Sequence, residues 1–365
     1  MELNDLPPMP ELMIVGPGEL HDGDLEVLGR QVVAHYGDTW TALHADLVTA
    51  LGALLGAADP PYVIPGTGTT CLDMVAMNLF EPGQTVVIPD TGFFGNRLIE
   101  VAQANRLEVR AIAVDVGAPA DPAIVRDALR GAAGVLVTHV ETSTGVRHPI
   151  ADIAAAAHDA GAICVVDGIA SVGGERCDAD AMGLDALVTS TQKGLEAPPG
   201  LGIVALGRGG RGRLDARSEP PPSWYLDLRR WDWYRREWGS WHPHPVTMPT
   251  SLMLALLSST RRILAAGMDA WIDARAALAR TLREGLRDLG LEPVPQAGVE
   301  SNMVVAVWCD EAPRVQRSVL EHGVQISGGL APLAGKTLRI GLMGRTATEA
   351  MVERVLDLVA RALKG

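Results

Sequence analysis

Residues 190–207 read STQKGLEAPPGLGIVALG. A lysine, Lys193, stands between small polar residues and a Pro-Pro-Gly turn, and an apolar run follows it. The flanking runs LDALVTS (184–190) and LGIVALG (201–207) are short, apolar and bounded by turn residues, the pattern of buried strands. Working outward, QTVVIPD (84–90), LEVRAIAVD (107–115), AGVLVTHV (133–140) and GAICVVDG (161–168) read the same way. Helical patterns lie between several of them, such as FFGNRLIEVAQAN (93–105) and IADIAAAAHDA (150–160). Strands apolar throughout, alternating with helices, predict an α/β fold: a mostly parallel central sheet flanked by helices. Lys193 then follows a strand and lies at the sheet's carboxyl edge, where such sheets place their ligands.

Beyond Arg208 the pattern changes. Residues 208–249 are rich in Arg, Trp and Pro, with few strand signals. Residues 251–290 predict two helices broken at Gly267. Strands are expected in SNMVVAVWCD, GVQIS and TLRIGLM, and helices near 311–322 and 347–364. The expected organisation is an N-terminal arm (1–20), a large domain (21–250) and a smaller C-terminal α+β domain (251–365).

At 365 residues and 47% hydrophobic, the chain supports a large domain plus a small one, and disorder is not expected. Lys plus Arg number 31 against 44 Asp plus Glu, a net charge of −13. That balance argues against binding nucleic acid or an anionic membrane over a broad surface. The opening MELNDLPPMPELMIVGPGEL has no basic segment and no long apolar core, so it is not read as a signal peptide. No apolar run approaches the roughly 18–20 residues of a spanning helix. Cys71, Cys164, Cys177 and Cys309 are far apart, without CxxC, and read as reduced thiols of a cytoplasmic protein.

Four places carry the residue types of a reaction centre. PGTGTTCLDMVAMNLF (65–80) is a Gly/Thr turn opening a helix, either an ordinary N-cap or an anion site. It has neither the P-loop lysine nor GxGxxG. ICVVDGIASVGG (163–174) ends a buried strand on Asp167, a capping acid or one that keeps a heteroaromatic nitrogen protonated. Lys193 is a surface turn residue or a partly buried amine, its pKa lowered, suited to Schiff-base chemistry. In GGLAPLAGKTLRIGLMG (328–344), Arg339 stands mid-strand in an apolar run. It is held by an internal salt bridge, or its planar fork takes a substrate carboxylate. Anion cradle, acid and corner lysine together are what pyridoxal phosphate requires.

These stretches, with GPG (16–18), TGFFGNR (91–97), THVETSTGVRHPI (138–150) and WYLDL (224–228), carry a family likeness over roughly residues 12–360. The chain resembles the class V aminotransferases of pyridoxal phosphate fold type I, nearest to the alanine–glyoxylate and serine–pyruvate aminotransferases. The resemblance implies that Lys193 holds the cofactor aldehyde as an imine and later shuttles a proton. It implies that Asp167 pairs with the pyridinium nitrogen, and that Thr67, Gly68, Thr69 and Gln192 hold the phosphate. Phe94 would stack on the ring, Ile169 would pack on its other face, and Thr142 would touch its edge near O3′. Arg339 would take the substrate's α-carboxylate. The family's homodimer shares its active sites, so His244 and Thr247, in HPHPVTMP (242–249), would reach the partner's phosphate. The implied reaction moves an amino group from alanine, serine or a similar donor to glyoxylate or pyruvate by a ping-pong route.

Pro65 departs from the family's usual small residue, and HPHP replaces its usual residues. LRRWDWYRREWGSW (228–241) packs four Trp and four Arg into one segment, an interface patch or a wall for an acidic or aromatic donor. A lyase of the desulfurase or kynureninase kind is the rival within the cofactor class. Desulfurases need a cysteine on a mobile loop and typically stack a histidine on the ring; here Phe94 stacks, and Cys309 falls in a predicted strand. A pyridoxamine–pyruvate aminotransferase would use the same apparatus. A binding protein without turnover has no need of Lys193, Asp167 and Arg339 together. No metal site is expected, because His242 and His244 alternate with prolines and no third ligand is evident.

Overall fold

Two sheets organise the computed structural model, which describes residues 9–364. The chain opens on a short strand, β1 (Glu11–Met13), and lays down β2 (Tyr62–Pro65), β3 (Thr85–Asp90), β4 (Glu108–Ala113) and β5 (Gly134–Thr138). A two-stranded hairpin, β6 (Val140–Glu141) and β7 (Val146–Arg147), precedes β8 (Ile163–Asp167), β9 (Ala186–Ser190) and β10 (Leu201–Leu206). Three late strands follow, β11 (Val304–Trp308), β12 (Val324–Gly328) and β13 (Thr337–Gly341). The large sheet has seven strands in the order β2-β10-β9-β8-β5-β3-β4.

Every pairing in that sheet is parallel except those of β10, which runs antiparallel to both β9 and β2. The reason is local. Parallel neighbours need a crossover of a dozen or more residues, whereas residues 191–200 join β9 to β10 without a helix. That short connection carries Lys193. Since β8 and β9 are parallel, with Asp167 opposite Val188, Asp167 and Lys193 emerge at the same sheet edge.

Helices cover the sheet. The first four are α1 (Asp22–Leu28), α2 (Asp38–Leu55), α3 (Gly68–Leu79) and α4 (Phe93–Ala104). The main core joins α2 and α3 to strands such as β5, β8 and β9, which are buried along their whole length. Gly267 separates the helices Thr250–Ala266 and Met268–Asp288 with φ +81°, a left-handed conformation that glycine adopts without strain. The Arg/Trp-rich segment, in which no element was predicted, forms helices Arg208–Ala216 and Leu228–Glu237. No described helix is long and apolar enough to cross a membrane.

The second sheet has the order β1-β12-β13-β11 and its own apolar cluster. Its edge strand β1 comes from the stretch expected to be an arm, residues 1–20, of which 1–8 lie outside the described residues. Glu11, Leu12 and Met13 pair in parallel with Val324, Gln325 and Ile326. From there the chain passes directly over the lysine corner.

Candidate active site

One cavity at the carboxyl edge is lined by Thr67, Gly68, Thr69, Phe94, Thr142, Asp167, Ile169, Gln192 and Lys193. Nine residues singled out from sequence are thus brought together. Leu72, Arg97, Val140, Ala170 and Ser190 complete the wall.

Lys193 is held from the N-terminal side. Its Nζ donates to the Val15 carbonyl, and the Gly18 amide donates to the Gln192 carbonyl at 3.1 Å. Burial, then the nearby Arg339 charge, lowers the lysine pKa to about 8. Asp167 moves the opposite way. Burial raises it to about 6, although the Ile169 amide donates to its Oδ1 at 2.9 Å. An amine and an acid are thus both displaced towards their neutral forms in one cavity, which sets Lys193 apart from an exposed turn lysine.

The helix start is both a cap and a cradle. The Thr67 hydroxyl accepts from the Thr70 amide at 3.2 Å, and the Thr70 hydroxyl accepts from the Thr67 amide at 3.1 Å. This capping box leaves the amides of Gly68 and Thr69 without an intrahelical acceptor, facing the cavity. A Cβ on Gly68 would lie 2.3 Å from Ile169 Cδ1, so no larger residue fits there without moving Ile169. The Ser190 hydroxyl is buried without a partner.

These features fit pyridoxal phosphate. Two free amides and the positive end of α3 suit a phosphate. A proton-bearing ring nitrogen beside Asp167 would restore the charge that burial disfavours. Lys193 offers the amine that the aldehyde needs.

Two acids escaped the sequence reading. Glu141 is fully buried and accepts from the Phe94 and Gly95 amides at 3.0 Å and from the Ser143 amide and hydroxyl at 2.9 and 2.6 Å. It thereby fixes the start of α4 and the aim of Phe94. Arg97 lies against Phe93 and Phe94, its guanidinium carbon 5.1 Å from each ring centroid. Glu196, three residues after Lys193, is buried with φ +52°. Its carboxylate meets Arg275 at 2.6 Å, His21 at 2.9 Å, the Gly344 amide at 3.0 Å and Arg262 at 3.6 Å. Both acids sit in quoted motifs, but their partners are remote in sequence.

Arg339 does not line the cavity, yet its field reaches Lys193. Its Nε donates to the Gly328 carbonyl at 2.6 Å and its Nη1 to the Thr142 carbonyl at 2.9 Å. No carboxylate of the described residues forms an ion pair with it, and burial lowers its pKa to about 10. The internal salt-bridge reading therefore falls: the Glu141 charge acts on Arg339 from a distance, and no described carboxylate is in direct contact with it.

His244 and Thr247 lie outside the cavity. The His244 Nε2 accepts from the Trp40 indole at 2.8 Å and its Nδ1 meets the Val246 carbonyl at 2.8 Å, so both nitrogens are committed within the chain. Thr247 is exposed. A third candidate ligand, not evident in the sequence, is brought in by the fold: His35 comes to His242 and His244. None of the four tryptophans of 228–241 lines the cavity; Trp231 is buried, and Trp233, Trp238 and Trp241 are exposed.

The family model for aminotransferase class V matches residues 27–222. An uncharacterised aminotransferase of Methanocaldococcus jannaschii is 29% identical, with 97% of this chain and 92% of that protein covered. The crystal structure of an alanine–glyoxylate aminotransferase from Nostoc sp. superposes with a TM-score of 0.94 at 28% identity, covering 100% of this chain and 98% of that one. That of a ureidoglycine–glyoxylate aminotransferase from Bacillus subtilis gives 0.93 at 28% identity, covering 98% and 94%.

Proposed function

This chain belongs to the class V aminotransferases, pyridoxal phosphate-dependent transferases of amino groups, and from that premise we propose that it takes an amino group from alanine, serine or a similar small donor and passes it to glyoxylate or pyruvate in a ping-pong sequence. The observation that carries the reading is the pairing, in one cavity, of a lysine lowered to about 8 with an aspartate raised to about 6. The glyoxylate-using relatives supply the acceptor class.

Pyridoxal phosphate, when bound, supplies a carbonyl for amine exchange and a ring that draws electrons from the substrate's Cα. Lys193 holds the cofactor at rest. As a free amine it would remove the substrate's Cα proton as general base and would later return a proton. Asp167 keeps the ring nitrogen protonated. The Gly68 and Thr69 amides hold the phosphate, assisted by Thr67 and Gln192. Phe94, Ile169 and Thr142, which line the cavity, would hold the ring in place. Arg339 orients the substrate by a charge-assisted bond to its α-carboxylate. In the proposed homodimer Thr247 extends toward the partner's phosphate site, whereas His244 supports the segment from within. The absence of a cysteine from the cavity wall disfavours the desulfurase reading.

The test is a half-reaction. Holoprotein mixed with L-alanine should form pyruvate and lose its imine absorbance, and glyoxylate should restore the absorbance and yield glycine. Parallel trials with serine, aspartate, aromatic amino acids and pyridoxamine assign the donor. No spectral change with any of them would overturn the reading.

A further inference from the structure

We propose that His35, His242 and His244 form a site for a first-row divalent transition-metal ion such as Zn2+, separate from the catalytic cavity. Pro243 and Pro245 fix φ on either side of His244 and disfavour helix at the residues before them. An extended segment carries residues two apart on one face. His242 and His244 accordingly lie with ring centroids 4.3 Å apart. The loop between α1 and α2 brings His35 to 5.0 and 5.7 Å from the same rings. One nitrogen from each histidine lies within 4.8 Å of the others.

The details suit coordination. His242 Nε2 and His35 Nδ1 are 3.1 Å apart. Two nitrogens sharing a tetrahedral metal at bonds of about 2.05 Å are separated by roughly 3.3 Å. The Val246 carbonyl at His244 Nδ1 selects the tautomer that carries its lone pair on Nε2, the usual support for a ligating histidine, and in this structure that lone pair accepts from the Trp40 indole at 2.8 Å. A metal on Nε2 takes the place of the Trp40 N–H. With three nitrogens and no carboxylate, the set favours Zn2+, Ni2+ or Cu2+ over Mg2+ or Ca2+. The ion would tie the loop before α2 to the segment entering helix Thr250–Ala266.

The experiment uses full-length holoprotein, stripped with a chelator and titrated with Zn2+ by calorimetry and with Co2+ by visible absorption. One ion should bind per chain, Co2+ should show tetrahedral d–d bands, and the cofactor band should not change. His35→Gln and His242→Gln should weaken binding at least about tenfold, whereas His322→Gln, an exposed histidine on a helix end, should not. Absence of saturable uptake, or uptake unchanged in both ligand variants, would overturn the site. If the variants fail to fold, the wild-type Co2+ spectrum decides: tetrahedral nitrogen bands support it, and their absence refutes it.

Discussion

Gly16 is pressed against Lys193: a Cβ built on Gly16 would lie 2.4 Å from the lysine Cδ and 2.9 Å from its Nζ. The neighbouring Val15 carbonyl accepts from that same amine. With φ +78° at Gly16, alanine is disfavoured by backbone and contact alike. Gly16→Ala should therefore retain the fold, shown by circular dichroism, but bind pyridoxal phosphate more weakly, shown by loss of the imine band on dilution. An unchanged band would mean that the segment merely passes by.

Lys193 also sets a pH dependence. Imine formation needs the neutral amine, and burial has lowered this amine from 10.5 to about 8. The rate at which apoprotein captures pyridoxal phosphate should rise up to about pH 8 and then level off. A continued rise towards pH 10 in stopped-flow traces would contradict the shift. Lys193→Ala should reduce kcat by roughly 10²–10⁴-fold, the usual range for a lost general base.

Arg339 is a buried cation with two carbonyl partners and no ion pair among the described residues. Arg339→Ala should weaken amino-acid binding by roughly 2–5 kcal/mol. Arg339→Lys should restore only part of it, because a point charge cannot make the two-pronged contact. Donor saturation of the half-reaction gives both numbers, and an unaltered KM would exclude the arginine from substrate binding.

Glu196 should matter for stability. Burial raises its pKa, but the contacts from His21 and Arg275 outweigh that and leave it below the ordinary 4.5. A carboxylate depressed in the folded state contributes stability above its unfolded pKa and loses that contribution as pH falls through the folded value. Glu196→Gln should thus cost about 3–5 kcal/mol at pH 7, by stranding buried Arg275. Its deficit relative to wild type in urea melts should shrink as the pH drops below 4.5. A constant deficit across that range would rule out the charge as the cause.

What could be read from the sequence was what local pattern encodes. The strands carrying Asp167 and Lys193, and the break at Gly267, follow from apolar runs and glycine chemistry. Strand β2 went unseen because Tyr62–Pro65 is short and has prolines before it and at its end. The direction of β10 was also hidden, since a strand buried on both faces has the same composition whichever way it runs. Glu141, Glu196 and His35 show a second limit. Each acts through partners from other parts of the chain, and nothing at its own position signals them.

Strand β1 has a consequence for biogenesis. It leaves the ribosome long before β12, the strand it pairs with among the described residues, has been made. The segment that seats the lysine amine must therefore wait, undocked, until nearly the whole polypeptide has emerged. All seven strands of the large sheet lie before residue 207, so chains that end early should be able to build it and still lack the lock over Lys193. Capture of the cofactor should accordingly be a late event in synthesis, and chains stopped before residue 324 should remain colourless even when the large sheet has formed.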